Sequence, residues 1–428
     1  MRVLVLLRAR KVEAILSVLA VLIAGCSSGN PSGGSGGTGG SGGIGGSGGS
    51  QSYRVVGYFP QWGIYEPTPY YVKNIVTSGS AAKLTHVIYA FAGFANNQCA
   101  SSDPGADYKD VFAAGDAVNG QADSGAAGVL AGNFNQLKEL KAAYPNLKIL
   151  VSINGSSRTA PNAFSNAATP VNLNAFVTSC VNMYIQGNFA PGITQPGIFD
   201  GIDIDWEFPS SSSDQTNFIA MLQEFRTQLN AINPSLELTN ATPAGSWGWQ
   251  YMDLTDAQKS LDFFNLMTYD FDAPWSDTTG FVAPLYQAAL DPSATNNANA
   301  AVEAYTTQLG IPASKINLGM PFYSYDWTGV ATANNGLFEP GTPDQNSYEY
   351  NYVSTLTGYQ AYRDSTTQEP WLFNAATGTF FTYDDPTSLA FKTDYAVKNQ
   401  LGGIMFWELS GDTATGDELN AITTELKK

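Results

Sequence analysis

The stretch Asp200–Pro209 reads DGIDIDWEFP, and we expect it to decide both the fold and the chemistry of this chain. Asp203, Asp205 and Glu207 alternate with apolar residues, so an extended strand would point all three carboxylates to one side. Successive members of such a row lie roughly 6 to 7 Å apart. Carboxylates packed this closely cannot all ionise, so we expect them to share protons and at least one to have a raised pKa. A group of this kind suits a general acid that works near neutral pH.

The residues around this row are apolar and suit a buried strand. Gly197–Phe199 precede the row, and Ile204, Trp206 and Phe208 interleave with its acids. In an α/β protein, charged side chains at the carboxyl end of such a strand usually indicate a functional site. The alternative is an edge strand with a solvated acidic face. The apolar surroundings favour the buried strand.

The rest of the chain alternates apolar strand-like runs with amphipathic helical ones. The runs that predict strands are 55–58, 87–91, 149–153, 201–205, 237–240, 264–268, 316–320 and 403–406. The segments that predict helices are 133–143, 172–185, 213–232 and 387–400. Strands that alternate with helices in this way predict an α/β fold, a (β/α)8 barrel. The stretch at about 321–384 is too long for an ordinary loop.

The acidic row resembles the DxxDxDxE signature of glycoside hydrolase family 18, the chitinases and their relatives. Further stretches match in the family's order: VVGYFPQWGIY from Val55, LTHVIYAFAGF from Leu84, KILVSINGS from Lys148, LMTYDFDAPW from Leu266, NLGMPFYSYDW from Asn317 and GGIMFWELSGD from Gly402. The resemblance extends from Tyr53 to Lys428. It implies a TIM barrel with a small α+β insertion at about 321–384, which would form one wall of a deep cleft.

The resemblance also implies the catalytic residues. Glu207 would protonate the leaving oxygen and later activate water, while the acetamide of the substrate attacks the anomeric carbon to form an oxazolinium ion. Asp205 would hold the acetamide N–H and share a proton with Asp203, and Tyr269 would hydrogen-bond the acetamide oxygen. The implied reaction is a retaining, endo-acting hydrolysis of β-1,4 N-acetylglucosamine linkages in chitin or chitooligosaccharides.

The implied substrate site surrounds these acids. Trp407 matches the tryptophan beneath the reacting sugar, because an indole face stacks on the apolar face of a pyranose. Asp270 would contact the sugar or support Glu207, and Tyr58 and Ser152 would support Asp203 through hydrogen bonds. The remaining expected substrate contacts are Met267 and three loop tryptophans that are equally compatible with packing, Trp62, Trp275 and Trp327.

Two stretches depart from the family pattern. The usual SxGGW becomes SINGS at Ser152–Ser156, which loses a glycine and a tryptophan. The usual PFYGRGW becomes PFYSYDW at Pro321–Trp327, which replaces an arginine by a tyrosine. We expect both changes to reshape the non-reducing side of the substrate site and to leave the core acids alone.

Composition excludes several other classes of function. The chain has 428 residues, 43% of them hydrophobic, and a formal net charge of −17, which argues against a nucleic-acid partner. The single histidine, His86, falls in an apolar run and is expected to be a core residue. One His and three Cys provide no zinc-type cluster and no Ser/His/Asp constellation. We therefore expect no metal and no cofactor.

The first fifty residues predict export. Basic residues precede the apolar stretch 14–24, which is too short to span a bilayer and suits a signal peptide. Ile23–Cys26 resembles a bacterial lipobox, which implies cleavage before Cys26 and lipidation of its thiol; ordinary secretion is the alternative. We expect residues 1–25 to be the signal peptide, 26–50 a flexible Gly/Ser tether and 51–428 the catalytic barrel.

The protein is therefore expected to be a monomer outside the cytoplasm, either secreted or anchored to a bacterial membrane or cell surface only through that lipid. Cys99 and Cys180 would either pair in an oxidising compartment or remain buried thiols. Two other functions are compatible with the resemblance. One is an endo-β-N-acetylglucosaminidase that releases N-glycans, and the other is a chitin-binding lectin without turnover. Such lectins typically lack the catalytic acid, whereas Glu207 is present here.

Overall fold

Parallel strands close into a barrel. The computed structural model of the chain describes residues 53–156 and 162–428. The barrel strands, in chain order, are β1 Arg54–Pro60, β2 His86–Ala95, β3 Lys148–Ser156, β4 Gly201–Glu207, β5 Glu237–Pro243, β6 Phe263–Met267, β7 Ile316–Pro321 and β8 Gly403–Trp407. Each strand pairs with its neighbours in this order, and β1 pairs with both β2 and β8, so the sheet has closed on itself. The predicted (β/α)8 barrel is confirmed.

Helices and short turns connect the strands and cover the outside of the barrel. The α-helices are α1 Val72–Thr77, α2 Gly132–Ala143, α3 Ala163–Ala167, α4 Leu173–Cys180, α5 Ser212–Ile232, α6 Ser246–Trp249, α7 Leu254–Ala257, α8 Ala298–Glu303, α9 Tyr350–Val353, α10 Pro386–Lys398 and α11 Asp417–Glu425. Wider helical turns form Gly105–Lys109, Val181–Ile185 after α4, and Ala304–Gln308 after α8. Tighter turns form Gln61–Tyr65, Ser80–Ala82, Ala313–Lys315, Ala333–Gly336 and Leu409–Gly411.

The alternation along β4 separates apolar from acidic side chains. Ile204 and Trp206 point outward into the main core, where Trp206 stacks on Phe164 with ring centroids 5.1 Å apart. Burial of an aliphatic side chain such as Ile204 stabilises the fold by about 1.5 to 3 kcal/mol. Asp203 and Asp205 point the other way, into the barrel, because successive side chains of a strand lie on opposite faces. The strand is therefore anchored on one face and carries its acids on the other.

A second, antiparallel sheet lies in the chain between β7 and α10, and we call it the wall sheet. Its strands are Tyr323–Thr328, Thr342–Pro343, Tyr348–Glu349, Gln360–Arg363, Pro370–Asn374 and Thr379–Tyr383. The short helix α9 follows Tyr348–Glu349. The sheet has its own apolar cluster, which includes Trp327, Trp371 and Phe380. It occupies most of the stretch at about 321–384 where an insertion was expected.

Cys99 and Cys180 form a disulfide bond. Of the two expected alternatives, a disulfide or two buried thiols, the structure shows the disulfide. Cys99 lies in the strand Gln98–Ser101, which pairs with the end of β2, and Cys180 ends α4. The bond spans 81 residues of sequence. A cross-link over a loop of this size typically stabilises a fold by about 2 to 4 kcal/mol, mainly by restricting the unfolded chain. A small hairpin of Asn188–Ala190 and Ile193–Thr194 follows α4.

The predicted signal peptide, the lipobox at Cys26 and the Gly/Ser tether lie outside the described residues. In the described part of the chain, none of the helices combines the length and the apolar character that a bilayer crossing requires. His86 is buried near the amino end of β2, where Nε2 lies 3.0 Å from Glu237 Oε2 and Nδ1 lies 2.7 Å from Thr85 Oγ1. This histidine is a hydrogen-bonded core residue, as predicted.

Candidate active site

The acid row lies at the carboxyl end of β4 and extends from the barrel interior to the surface of a cleft. Asp203 and Asp205 are buried, and Glu207 at the strand end is half-buried. The cleft has a volume of about 1280 Å³, and both Asp205 and Glu207 line it. Asp203 does not line it, so the row has one member below the floor of the cleft and two that face it.

Asp203 accepts hydrogen bonds on both of its carboxylate oxygens. Tyr58 Oη and Ser152 Oγ donate to Oδ2 at 2.9 and 2.8 Å. Thr239 Oγ1 and Asn265 Nδ2 donate to Oδ1 at 2.5 and 3.5 Å. Burial raises the pKa of Asp203, although these donors oppose the shift by stabilising the ionised form. The support from Tyr58 and Ser152 that the sequence predicted is confirmed, and Thr239 and Asn265 add to it.

Only one of the two carboxylate oxygens of Asp205 accepts a hydrogen bond from a described protein group. Asn154 Nδ2 donates to its Oδ2 at 2.7 Å, while no described protein group donates to its buried Oδ1. The pKa of Asp205 is raised well above its usual range by burial and by the charges of Glu207 and Asp203, against the hydrogen bond from Asn154. A carboxyl group in this setting holds a proton readily. That it shares this proton with Asp203 stays a prediction.

Glu207 faces the same space as Asp205 and Tyr269. Its charge raises the pKa of both of those groups, which places it within electrostatic reach of each. The pKa of the Tyr269 hydroxyl lies well above its usual range because of burial and the nearby acids, Asp270 first among them. Tyr269 therefore stays a neutral hydrogen-bond donor at working pH. Two carboxylates and a phenol therefore line the same cleft within electrostatic reach of one another.

The turn after β6 positions Tyr269. Asp270 has a φ of +60°, in the left-handed region that residues other than glycine rarely adopt. Tyr323 Oη donates to Asp270 Oδ1 at 2.6 Å, and the Tyr323 ring packs edge-on against Tyr269 with centroids 6.0 Å apart. Met267, at the end of β6, also lines the cleft. The wall sheet thus contacts the catalytic region directly through Tyr323.

Aromatic side chains form one side of the cleft. Trp407, at the end of β8, stacks on Phe91 with centroids 5.4 Å apart and contacts Tyr58 and Trp62 at 5.5 and 6.1 Å. Trp407 and Trp62 both line the cleft, and Trp62 is 37% exposed. Packing against these rings holds the Trp407 ring in place, and the ring is half-buried where it lines the cleft.

The other two predicted tryptophans lie in different surroundings. Trp275 is 59% exposed on the loop after β6 and does not line the cleft. Trp327 is fully buried in the core of the wall sheet, and its Nε1 donates to the carbonyl of Ser276 at 2.8 Å. The packing alternative holds for Trp327, and the prediction that it contacts substrate is wrong, because its ring is fully buried in this apolar cluster. Trp275 stays a prediction.

The departures from the family pattern fall inside the site. Tyr325, in place of the arginine, lines the cleft and packs edge-on against Tyr323 at 5.5 Å. Asn154, in place of a glycine, also lines the cleft and binds Asp205. The expectation that these changes leave the core acids alone is wrong for Asn154. A side chain long enough to reach across from β3 to β4 now contacts the acid row.

Further acids line the cleft beside Trp407, and the sequence did not single them out. Glu349 belongs to the wall sheet and Glu408 follows β8, and Ser410 Oγ lies within hydrogen-bonding distance of both. Burial, together with the charge of Glu349, raises the pKa of Glu408 to about 8. Among the described residues, no lysine or arginine lines this cleft. The cleft therefore suits a neutral or cationic ligand and disfavours an anionic one.

Within residues 53–156 and 162–428, no group of three or more His, Cys, Asp and Glu side chains is arranged to hold a metal ion. The residues that the site offers for chemistry are carboxyls, hydroxyls and amides. This set can transfer protons and bind a polar, uncharged ligand through hydrogen bonds and stacking.

Known proteins resemble this chain over most of its length. "Chitinase C" of Streptomyces lividans is 35% identical over 379 residues, which cover 85% of this chain and 58% of that protein. "Chitinase 63" of Streptomyces plicatus is 34% identical over 389 residues, which cover 87% of this chain and 60% of that protein. The chain thus spans less than two thirds of the length of either relative.

A solved structure is similar to the same extent. The catalytic domain of psychrophilic chitinase B from Arthrobacter TAD20 is 34% identical with a TM-score of 0.80, and the match covers 88% of this chain and 96% of that one. The sequence model of "Glycosyl hydrolases family 18" matches residues 54–412. Because this match runs through the whole barrel from β1 to β8 and includes the acid row, the chain belongs to the glycosyl hydrolases of family 18.

Proposed function

We propose that this protein is a chitinase that hydrolyses β-1,4 linkages between N-acetylglucosamine units of chitin or chitooligosaccharides. The observation that carries the proposal is that Glu207, Asp205 and Tyr269 interact electrostatically and line the same cleft as Trp407. The relatives and the solved structure that resemble this chain are named chitinases. The substrate is assigned here from that likeness and from the chemistry of the cleft.

The proposed mechanism uses the acetamide group of the substrate as the nucleophile. Glu207 protonates the glycosidic oxygen as it leaves, and the acetamide carbonyl oxygen attacks the anomeric carbon from the opposite face. The bond to the leaving sugar breaks and an oxazolinium ion forms. Glu207, now ionised, removes a proton from a water molecule, which opens this ion and returns the anomeric configuration to that of the substrate.

The neighbouring groups stabilise this intermediate. Ionised Asp205 accepts a hydrogen bond from the acetamide N–H and balances the positive charge of the oxazolinium ion, and the Tyr269 hydroxyl donates a hydrogen bond to the acetamide oxygen. Trp407 stacks on the reacting sugar and fixes the position of its ring. Asp203 remains below the cleft, held by Tyr58, Ser152 and Thr239, and takes up the proton that Asp205 releases when it ionises.

The shape and lining of the cleft support an endo-acting enzyme. The cleft is large enough for several sugar units, since its 1280 Å³ exceeds the volume that typical small-ligand pockets provide. Aromatic rings from the turn after β1, from β2 and β8, and from the wall sheet line its sides. The intact Glu207 argues against a lectin that binds chitin without cleaving it. A hydrolase of N-glycans with the same chemistry is the alternative that the product assay separates.

The purified protein is expected to release short N-acetylglucosamine oligomers from chitohexaose and from colloidal chitin. Mass spectrometry and chromatography of the products would identify them, and their early size distribution would distinguish internal from terminal cleavage. An N-glycosylated protein is the matched alternative substrate. Release of intact glycans from it, with no products from either chitin substrate, would contradict the chitinase proposal.

We further propose that the protein is a monomer held outside the cytoplasm by a lipid on Cys26. The lipobox-like Ile23–Cys26 and the Gly/Ser tether behind it support this proposal. Metabolic labelling with a radioactive fatty acid is expected to mark the full-length protein and to fail in the Cys26→Ser variant. Equal labelling of both proteins would contradict attachment at this residue.

A further inference from the structure

Asn154 lies directly across from Asp205 in the barrel. The register of β3 and β4 pairs Asn154 with Asp205, just as it pairs Ser152 with Asp203 two residues earlier. The Asn154 side chain is half-buried at the surface of the cleft, and its Nδ2 lies 2.7 Å from Asp205 Oδ2. Each deep acid of the row thus receives a hydrogen bond from the facing residue of β3.

This contact makes the two oxygens of Asp205 unequal. Oδ2 accepts from Asn154, whereas Oδ1 is buried and has no described protein partner. An ionised carboxylate can accept on both oxygens. Because Asn154 occupies one oxygen, the carboxylate plane is fixed, and the other oxygen is left for a ligand N–H. A glycine at position 154, which the family pattern has, would leave both oxygens without this constraint.

The other groups around Asp205 are acids and phenols. Asp203 and Glu207 come from its own strand, Tyr58 from β1, and Tyr269 from the turn after β6. The two acids disfavour ionisation of Asp205, whereas the amide donor of Asn154 favours it. None of the groups that act on Asp205 is a lysine or an arginine. A single amide is therefore the principal protein group that favours the ionised form.

We propose that Asn154 is a positioning residue for the reaction, which holds Oδ2 of Asp205 as a fixed acceptor and thereby presents Oδ1 to the acetamide N–H of the substrate. This inference rests on the proposed function, since it assigns Asp205 to the acetamide. Asn154 itself acts through Asp205. The amide sets both the orientation of the carboxylate and its readiness to ionise, so it adjusts the pH range over which the enzyme works.

Two variants test this inference, and they are expected to shift the pKa of Asp205 in the same direction by different amounts. Asn154→Ala removes the donor, and Asn154→Asp keeps the size of the side chain but replaces the donor with a like charge. Loss of a donor to the ionised form raises the pKa of Asp205, so the acid limb of the kcat profile is expected to move to higher pH. We expect a shift of about one pH unit in Asn154→Ala and a larger shift in Asn154→Asp. In Asn154→Ala, kcat at neutral pH is expected to fall about ten-fold with KM within about two-fold of the parent value.

The matched control is Asn135→Ala. Asn135 lies on α2 and does not line the cleft, and its Nδ2 donates to a carboxylate, Asp123 Oδ1, at 2.7 Å. Its loss is expected to leave the acid limb in place. Carbon-13 NMR of protein labelled at its aspartate carboxyl groups would follow Asp205 directly, with its signal assigned by its disappearance in Asp205→Asn.

The NMR titration does not depend on turnover. If the parent releases no product from chitooligosaccharides, the proposed function fails, and the titration of Asp205 still tests the contact with Asn154. A pKa of Asp205 that rises from the parent to Asn154→Ala and again to Asn154→Asp supports the inference. An unchanged titration of Asp205 in both variants, or an acid limb that moves equally in Asn135→Ala, would overturn it.

Discussion

Replacement of Glu207 by glutamine is expected to lower kcat on chitohexaose by about 10³-fold while the protein still binds the oligosaccharide. Glutamine keeps the size of the side chain but cannot protonate the leaving oxygen or activate water. Glu207 is half-buried at the end of β4, so this change removes a titratable group and creates no cavity in the core. Initial rates would give kcat, and isothermal titration calorimetry would give the dissociation constant.

The matched control is Glu237→Gln, at the amino end of β5. Glu237 binds His86 at the opposite end of the barrel from the acid row, and the amide retains a hydrogen-bonding group for the imidazole. Its kcat is expected to stay within about two-fold of the parent value. A Glu207→Gln enzyme as fast as the Glu237→Gln enzyme would exclude Glu207 as the acid. Loss of both turnover and binding would instead indicate that the variant is misfolded, which circular dichroism would show.

The barrel and the acid row of β4 were predictable because they depend on patterns within short stretches of sequence. Strand alternation alone places Asp203 and Asp205 on one face of β4. The apolar Ile204 and Trp206 on the other face pack into the main core, which leaves the acids facing the barrel interior. Tyr58 and Ser152 could be assigned to Asp203 because their stretches match family motifs. The structure shows both of these hydrogen bonds.

The residues that the sequence did not indicate reach the site because of how neighbouring strands are aligned in the barrel. Thr239 lies opposite Asp203 in the pairing of β4 with β5, and Asn265 reaches the same carboxylate from β6. Each is a polar residue inside a buried strand, which was a signal that a partner exists. The identity of that partner requires the register of strands distant in the sequence. Asn154 was noted only as the loss of a glycine, because the sequence does not show that its amide reaches Asp205.

The error at Trp327 has a related cause. Tyr323, Tyr325 and Trp327 alternate along one strand of the wall sheet and share a face. Tyr323 and Tyr325 line the cleft, whereas Trp327 is buried in the apolar cluster of the wall sheet and donates a hydrogen bond to the carbonyl of Ser276. Alternation predicts the face of a strand but not the segment that packs on each part of it. Glu349 and Glu408 were missed for the same reason, since the fold brings them to one serine from different elements.

Replacement of Lys392 by methionine is expected to lower the free energy of unfolding by about 3 to 5 kcal/mol. Lys392 on α10 is buried between two buried carboxylates, Glu369 at 3.0 Å and Asp384. Burial alone would lower its pKa, but the two acids outweigh burial and raise it, so the lysine is charged. Methionine fills a similar volume but leaves both acids without their cation. Urea denaturation followed by circular dichroism would measure the change.

The lost stability is expected to return when the acids are neutralised together with the lysine. The triple variant Lys392→Met, Glu369→Gln, Asp384→Asn removes every charge of the cluster. It should recover most of the lost free energy of unfolding, because the loss comes from unpaired buried charge.

Lys398→Met is the matched lysine control on the same helix. Its ion pair with Asp394 is exposed to solvent, so the denaturation midpoint should not move measurably. If Lys392→Met unfolds at the parent midpoint, the buried ion pairs of Lys392 with Glu369 and Asp384 do not stabilise the fold. If the triple variant is no more stable than Lys392→Met, the loss comes from packing and not from charge.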